Sequence, residues 1–371
     1  MKIVVLKFGG TSVGTIDLIK KVAKIIVSYA KKNYKVIVVS SAMSGTTNKL
    51  IGQSKELCSK FEKSEYDTLV SAGEQISCAL IAAKLKSMGV NSRSYLGWQI
   101  PILTDKNYGK SKILNIVKTN ITNFLKNNGI PIIAGFQGVN YENRITTLGR
   151  GASDYTAIMI AKFFKAKKCI IYTDVEGVMT TDPRIFKGAK KINKISYEEM
   201  LEMSSLGSKV MQANSVQDAR LNRIDINVKS TFTKKKGTLI TKKVNIKDNK
   251  VIRGISTPQN DAKVSIIGVK DKPGVAASLF KPLSLNNINV DMVVQNISSN
   301  RLETDITFTI KIHDLDKTIK LLNNIPIKFR KIIVDKEVSK VSIVGVGMIT
   351  TPGVSFRMFN SLSKKNINIL V

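Results

Sequence analysis

The chain has 371 residues, 43% of them hydrophobic, and Lys+Arg 59 against Asp+Glu 27 gives a net charge of +32. That length carries roughly two to three domains and a substantial core. Nucleic acid is not expected as a partner despite the charge, because the lysines scatter over helix faces (Lys31 and Lys32, Lys167 and Lys168, Lys364 and Lys365) and Trp98 is the sole Trp.

The first predicted element is a strand, Ile3, Val4, Val5 and Leu6, which ends in Lys7 and runs into Phe8, Gly9, Gly10, Thr11 and Ser12. Ile16, Leu18, Ile19, Val22, Ala23 and Ile26 then recur at helical spacing, so the glycine turn opens a helix whose first N–H groups lack intrahelical partners. Such a start attracts anions. Gly9 and Gly10 permit close approach of a phosphate, Thr11 and Ser12 add hydroxyls, and Lys7 adds a point charge. The spacing is neither the Walker nor the Rossmann pattern, because Lys7 precedes the glycines; a ligand-free strand-to-helix turn is the alternative reading.

A second apolar run, Val36 to Val39, completes a βαβ unit and opens into a polar loop over residues 40–47 that should face the same crevice. Residues 64–88 read as a long helix with Leu69, Val70, Ile76, Leu80, Ile81 and Leu85 as its apolar stripe, and Gly73 and Glu74 lie inside it. A mid-helix glycine costs roughly 1 kcal/mol, so Gly73 marks a close approach of a ligand or of a neighbouring element. Residues 131–138 form another buried strand ending in a glycine turn. Residues 146–154 are the most polar loop of the chain, with Arg150 between two glycines and Ser153 and Asp154 at a helix start, where plain capping is the alternative role. A strand over 169–175 follows, then a loop through Met179 and Arg184, a helix near 197–203, another opening at 206–210, and a closing strand at 226–232. Residues 242–250 read as a linker.

The remainder contains an internal repeat. Lys263 to Val269 is matched 77 residues later by Lys340 to Val346, and Pro273, Gly274 and Val275 are matched 79 residues later by Pro352, Gly353 and Val354. Each copy reads strand, Pro-Gly turn, helix, strand, with no acid/base cluster, as a ligand-sensing unit would. The second copy reaches Val371 just after its second strand is expected to begin.

Cys58, Cys78 and Cys169 form no Cys-x-x-Cys pair, which argues for a reducing compartment and against structural zinc. No stretch reads as a signal peptide or membrane span, so a cytoplasmic location is expected. His313 is the single histidine and lies in a surface-type stretch, which disfavours Ser-His-Asp and Cys-His mechanisms.

Taken together, residues 7–12, 41–43 with Thr46 and Thr47, 72–75, 135–138, 146–150 with Ser153 and Asp154, 172–175 with 180–184, 207–210, 271–276 and 294–296 resemble the aspartate kinases of the amino-acid kinase superfamily. The resemblance implies an α/β sandwich catalytic domain over 1–245, a linker over 246–260, an ACT domain over 261–335 and an incomplete second ACT domain over 336–371. It implies MgATP-dependent phosphorylation of the β-carboxylate of L-aspartate, at the entry to lysine, threonine and methionine synthesis, in a homodimer or higher oligomer joined through ACT domains. Lys7 and Asp154 would be catalytic. Ser41, Thr47, Glu74, Arg150 and Ser153 would hold aspartate. Lys7, Phe8, Gly9, Gly10, Ser12, Thr173, Asp174, Met179, Arg184 and Lys209 would hold ATP. Asp271, Gly274, Val275, Ala276, Asn289, Asp291 and Gln295 would meet a lysine or threonine effector. The mechanism agrees with the residues: a carboxylate acceptor is already ionised at pH 7 and needs no general base, so positioning and cations suffice. Ala152 and Tyr155 depart from the family pattern, and Pro282 falls inside the first ACT helix. Another enzyme of the superfamily, or a non-catalytic amino-acid sensor, are the alternatives.

Overall fold

A computed structural model describes residues 2–371 apart from 150, 209, 243–250, 259, 298–302 and 349–350. It divides into two compact units, residues 1–254 with 344–346, and residues 255–343 with 347–371. The linker read at 242–250 lies, beyond its first residue, outside the described residues.

The first unit runs β1 (Ile3–Phe8), α1 (Ile16–Ala30), β2 (Lys35–Ser40), α2 (Thr46–Leu57), α3 (Lys63–Lys86), β3 (Ser92–Tyr95), β4 (Ile102–Thr104), β5 (Ile113–Ile116), α4 (Thr119–Lys126) and β6 (Ile130–Ala134). It continues through β7 (Gln137–Val139), β8 (Ile145–Thr147), α5 (Ser153–Phe163), β9 (Lys168–Thr173), β10 (Lys194–Ile195), α6 (Tyr197–Ser205), α7 (Ala213–Leu221), β11 (Ile226–Ser230) and β12 (Thr238–Ile240). Its main sheet has eight strands in the order β10-β12-β11-β9-β1-β2-β6-β3. The neighbours from β11 to β3 are parallel, while β12 runs antiparallel to β11. Central parallel strands are covered on both faces, which is why β1, β2 and β6 read as unbroken apolar runs.

Alternation along those strands divides their side chains between two cores. Val4, Leu6, Phe8, Val36 and Val38 pack with Ile19, Val22 and Ile26 of α1 and Cys78, Ile81 and Leu85 of α3. Ile3, Val5, Ile37 and Val39 pack on the other side with Ile121 of α4, Ala157 of α5, Met200 of α6 and Val216 of α7. The result is an α/β/α sandwich. Because β1, β2, β6 and β9 are parallel, their carboxyl ends share one edge, where Lys7 stands opposite Val39 and Ile171. A second sheet, β5-β4-β7-β8, leads the chain from β6 into α5.

Two expectations for this unit change and one alternative reading falls. Of the stripe expected on α3, Val70, Ile81 and Leu85 are buried while Ile76 is 51% exposed, and Asp67, Ser71, Gly73, Glu74 and Ser77 share the buried face, where neighbouring loops meet Asp67, Ser71, Ser77 and one oxygen of Glu74. The helix expected to open at 206–210 begins at Ala213, after Gly207 takes φ 111° and Met211 buries its side chain. Ser153 and Asp154 do not cap α5: its N-cap is Ala152, with no side-chain cap bond.

The elements after β12 are β13 (Gly254–Ser256), β14 (Asp261–Lys270), α8 (Val275–Leu285), β15 (Val290–Ile297), β16 (Glu303–Lys311), α9 (Leu315–Asn323), β17 (Lys331–Asp335), β18 (Ser342–Val344) and α10 (Val354–Ser363). In the second unit, β15-β16-β14-β17 form an antiparallel sheet whose apolar face meets Leu279 and Leu283 of α8 and Leu315 and Leu322 of α9. Pro282 sits within α8 between those two anchors, and the helix continues to Leu285. Gly274 and Gly353, the repeat's matched turn glycines, both precede their helices with positive φ (89° and 84°). Residues 367–371, read as the start of a strand, carry none; a strand exists only through hydrogen bonds to a neighbour. His313 is surface-exposed, as expected.

Candidate active site

Lys7, next to last in β1, holds its ammonium 2.6 Å from Asp154 Oδ1 in the first turn of α5, and each side chain is only 10% exposed. Beyond that ion pair the oxygen has no hydrogen-bond partner among the described residues. Beside the pair is a cavity of about 180 Å³ lined by Lys7, Ser41, Ser153, Asp154, Thr173 and Gln212, among others. Four elements converge here: β1 supplies Lys7, the end of β2 supplies Ser41, β9 supplies Thr173, and α5 supplies Ser153 and Asp154.

The glycine turn after β1 lies against the loop after β2. A Cβ on Gly10 would stand 2.8 Å from the Ala42 carbonyl, so only glycine fits. Ser44 N–H donates to the Gly10 carbonyl at 3.2 Å, and Ser41 N–H to that of Phe8 at 3.0 Å. Gly9 would bring a Cβ 3.6 Å from the Lys7 ammonium. Phe8 itself turns into the core and stacks on Tyr172 at 4.9 Å, leaving only its backbone to the site. Ser12 corrects the expectation that its hydroxyl cradles phosphate. It is fully buried, shares a 2.7 Å hydrogen bond with Thr231, and donates to the Tyr172 carbonyl, which anchors the short 3-10 turn Gly10–Val13.

Glu74 is buried in α3 at 4% exposure. Its Oε1 accepts from Ala42 N–H at 3.0 Å, while Oε2 has no partner. Burial raises its carboxyl to about 7, offset in part by hydrogen bonds from the Ala42 and Glu74 N–H groups and by the charge of Lys7. Gly73 brings α3 close to the same loop: a Cβ there would lie 2.7 Å from that of Ala42. Thr47 is half-buried in the first turn of α2. Thr173 donates its hydroxyl to the exposed Asp174 at 3.1 Å. Met179 is half-buried in a bridge to Lys191, and Arg184 forks onto Asp182 with its side chain 74% exposed. Arg150 and Lys209 lie outside the described residues.

Two residues escaped the sequence reading. Gln212 lines the cavity, and its side chain would meet a Cβ on Gly151 at 2.8 Å. Asp67, on α3, accepts hydrogen bonds from the turn at Gly109 and from the backbone and hydroxyl of Thr147, which leads to α5. The available signal was its position seven residues before Glu74, two helical turns away on the same face. Cys78, below Glu74, and Cys169, behind the Lys7–Asp154 pair, are fully buried and have their thiols pushed far up by burial, whereas Cys58 is exposed at the end of α2.

In the second unit, Asp271, Gly274 and Ala276 are exposed at the turn into α8, and Asn289, Asp291 and Gln295 are exposed on or beside β15. Asp291 is ion-paired with Lys340. Val275 is corrected: its side chain is buried in the core, so it presents only backbone to a ligand.

The family model described as amino acid kinase family matches residues 2–230, and one described as ACT domain matches residues 264–325 and 341–371. The class is therefore that of amino acid kinases carrying ACT domains. The chain is 44% identical over 373 residues to the aspartokinase of Pseudomonas aeruginosa, and 40% identical over 369 residues to that of Geobacillus stearothermophilus; each alignment covers 100% of this chain and 90% of the relative. Its fold superposes on E. coli aspartokinase III in complex with aspartate and ADP with a TM-score of 0.81 at 25% identity, covering 100% of this chain and 93% of that one. The chain belongs to the aspartate kinases, phosphotransferases with ACT regulatory domains. Among the described residues no helix is long and apolar enough to cross a membrane.

Proposed function

We propose that this kinase moves the γ-phosphoryl group of ATP onto the β-carboxylate of L-aspartate, giving 4-phospho-L-aspartate and ADP. The observation that carries this reading is the buried Lys7–Asp154 pair at the wall of the cavity, with Glu74 Oε2 buried and uncommitted nearby in the fold. A carboxylate oxygen of aspartate, ionised at neutral pH, bonds to the γ-phosphorus as the bridging P–O bond breaks and its electron pair leaves with ADP. No proton has to be removed. Lys7 would stabilise charge on the transferring group, and Asp154 would orient Lys7. Glu74 would accept the substrate ammonium, Ser41, Thr47 and Ser153 would contact its polar groups, and Arg150 would take its α-carboxylate, as the family resemblance implies.

ATP would lie along the glycine turn, with Gly9 and Gly10 near its phosphates and Thr173, Asp174, Met179, Arg184 and Lys209 around the nucleotide. Mg²⁺ fits this site as part of the nucleotide complex. Among the described residues no cluster of three or more His, Cys, Asp or Glu could hold an ion, and phosphate-bound Mg²⁺ needs one or two carboxylates at most, a place that Asp154 at the cavity wall would fill. When bound, Mg²⁺ neutralises phosphate charge. Asp271, Gly274, Ala276, Asn289, Asp291 and Gln295, with the Val275 backbone, would meet lysine or threonine, in a cytoplasmic homodimer or higher oligomer.

The test is hydroxylamine trapping of acyl phosphate with MgATP and either L-aspartate or L-glutamate. Hydroxamate is expected with L-aspartate alone. Its absence, in folded protein that still binds ATP, refutes the assignment.

A further inference from the structure

Asp67 is fully buried, and among the described residues the hydrogen bonds it accepts come from segments bordering the loop that precedes α5. Its Oδ2 takes the N–H of Thr147 at 2.7 Å and that of Gly109 at 2.9 Å, and its Oδ1 takes the Thr147 hydroxyl at 2.8 Å. Thr147 ends β8, and the chain then runs through residues 148–152 into Ser153 and Asp154. The Gly109 turn supports the same loop: Ser111 N–H donates to the Thr147 carbonyl at 2.9 Å, and a Cβ on Gly149 would lie 3.5 Å from the Gly109 carbonyl. Higher on the same helix, Glu74 Oε1 holds Ala42 N–H, and Ser77 donates to the Ser41 carbonyl at 2.7 Å. Seven residues of α-helix separate Asp67 from Glu74, a rise of about 10 Å. One rigid helix thus grips both acceptor-side loops.

We propose that Asp67 is a positioning residue: through Thr147 and Gly109 it fixes the end of β8 and Gly149, and with them Ser153 at the start of α5, relative to Glu74, and so sets affinity for the amino-acid acceptor while leaving the nucleotide side untouched. This rests on the assignment of Arg150 and Ser153 to aspartate binding made above. A carboxylate suits the place because the two backbone N–H groups can only donate and the Thr147 hydroxyl donates as well. An amide keeps the N–H bonds only by turning its N–H₂ to that hydroxyl, which must then reverse and accept.

The experiment is steady-state kinetics of wild type, Asp67→Asn, Thr147→Val and the double variant, below their melting temperatures. Asp67→Asn is expected to raise KM for L-aspartate at least tenfold with KM for ATP within twofold. Thr147→Val, which removes one of the three bonds, is expected to raise KM for L-aspartate about threefold, and the double variant less than the product of the two, as for residues in one network. A purely structural role would lower Tm and leave KM for aspartate unchanged, or raise both KM values together; either result overturns the proposal. Should Asp67→Asn fail to fold, an unchanged KM for aspartate in folded Thr147→Val does the same. A wild type without aspartate-dependent turnover fails at an earlier step, refuting the acceptor assignment and this inference with it.

Discussion

Lys7→Met separates the two things that Lys7 does. The ammonium and Asp154 are 2.6 Å apart and each is 10% exposed, so solvent screens the pair little. Removing the cation leaves a buried carboxylate without compensation, which costs about 3–5 kcal/mol. For a domain of this size that lowers Tm by roughly 10 °C. Loss of a preorganised charge aimed at the transferring phosphoryl costs a further factor of at least about 10²–10³ in kcat. Replacing both partners, Lys7→Met with Asp154→Leu, removes the buried charge altogether and is expected to return most of the stability and none of the turnover. Calorimetry with the hydroxamate assay on wild type, single and double variants makes the comparison. The reasoning fails if Lys7→Met keeps kcat within tenfold of wild type, or if the double variant melts as low as the single one.

With Glu74 in its proposed role, stability and substrate affinity should respond oppositely to pH. Its carboxyl is raised to about 7 from an ordinary 4.5, so the folded state holds the proton more tightly than the unfolded chain. The contribution of Glu74 to stability is therefore full below about 4.5 and is lost as pH rises through about 7, by roughly 2–3 kcal/mol. Urea unfolding of wild type and Glu74→Gln at pH 5 and pH 8 should show this dependence in wild type and a flatter one in the variant. An ammonium ligand needs the ionised form, so KM for aspartate should climb as pH falls below 7 in wild type alone. Gly73→Ala gains about 1 kcal/mol of helix propensity but puts a methyl 2.7 Å from the Ala42 Cβ. The loop must shift, and KM for aspartate should rise more than KM for ATP. Arg253 and Glu199 form a second buried pair, 3.2 Å apart with side chains 9% and 2% exposed. Arg253→Met should cost about 3 kcal/mol in unfolding experiments, largely recovered by adding Glu199→Met.

The parts of this molecule that announce themselves in the sequence are those where one residue's chemistry is tied to one period. The apolar runs of β1, β2 and β6 can only be buried strands, and Lys7 stands at the end of the first. The Pro-Gly turns before α8 and α10 gave away the repeat. What could not be read is the direction in which a side chain leaves a turn. Ser12 has the chemistry of a phosphate ligand, yet the 3-10 turn points its hydroxyl at Thr231. Val275 sits among exposed turn residues and nonetheless falls on the core side of α8. Asp67 was invisible for a related reason: an acid on a helix reads as solvent-facing until three donors from distant segments are known to surround it. The stripe expected on α3 holds at Val70, Ile81 and Leu85 and fails at Ile76, since polar residues share the buried face where loops meet them.

The three cysteines make a practical handle of α2. Cys78 and Cys169 are sealed in the interior with thiols held in their unreactive protonated form, while Cys58 stands exposed at the end of the helix whose first turn holds Thr46 and Thr47. A maleimide dye added to the native chain should therefore couple at one position without any engineering. Twelve helical residues carry that dye about 18 Å along the axis from the substrate end. It would sit clear of Thr46 and Thr47 and still travel with the helix, so its emission would report any movement of the loop after β2 when L-aspartate is added.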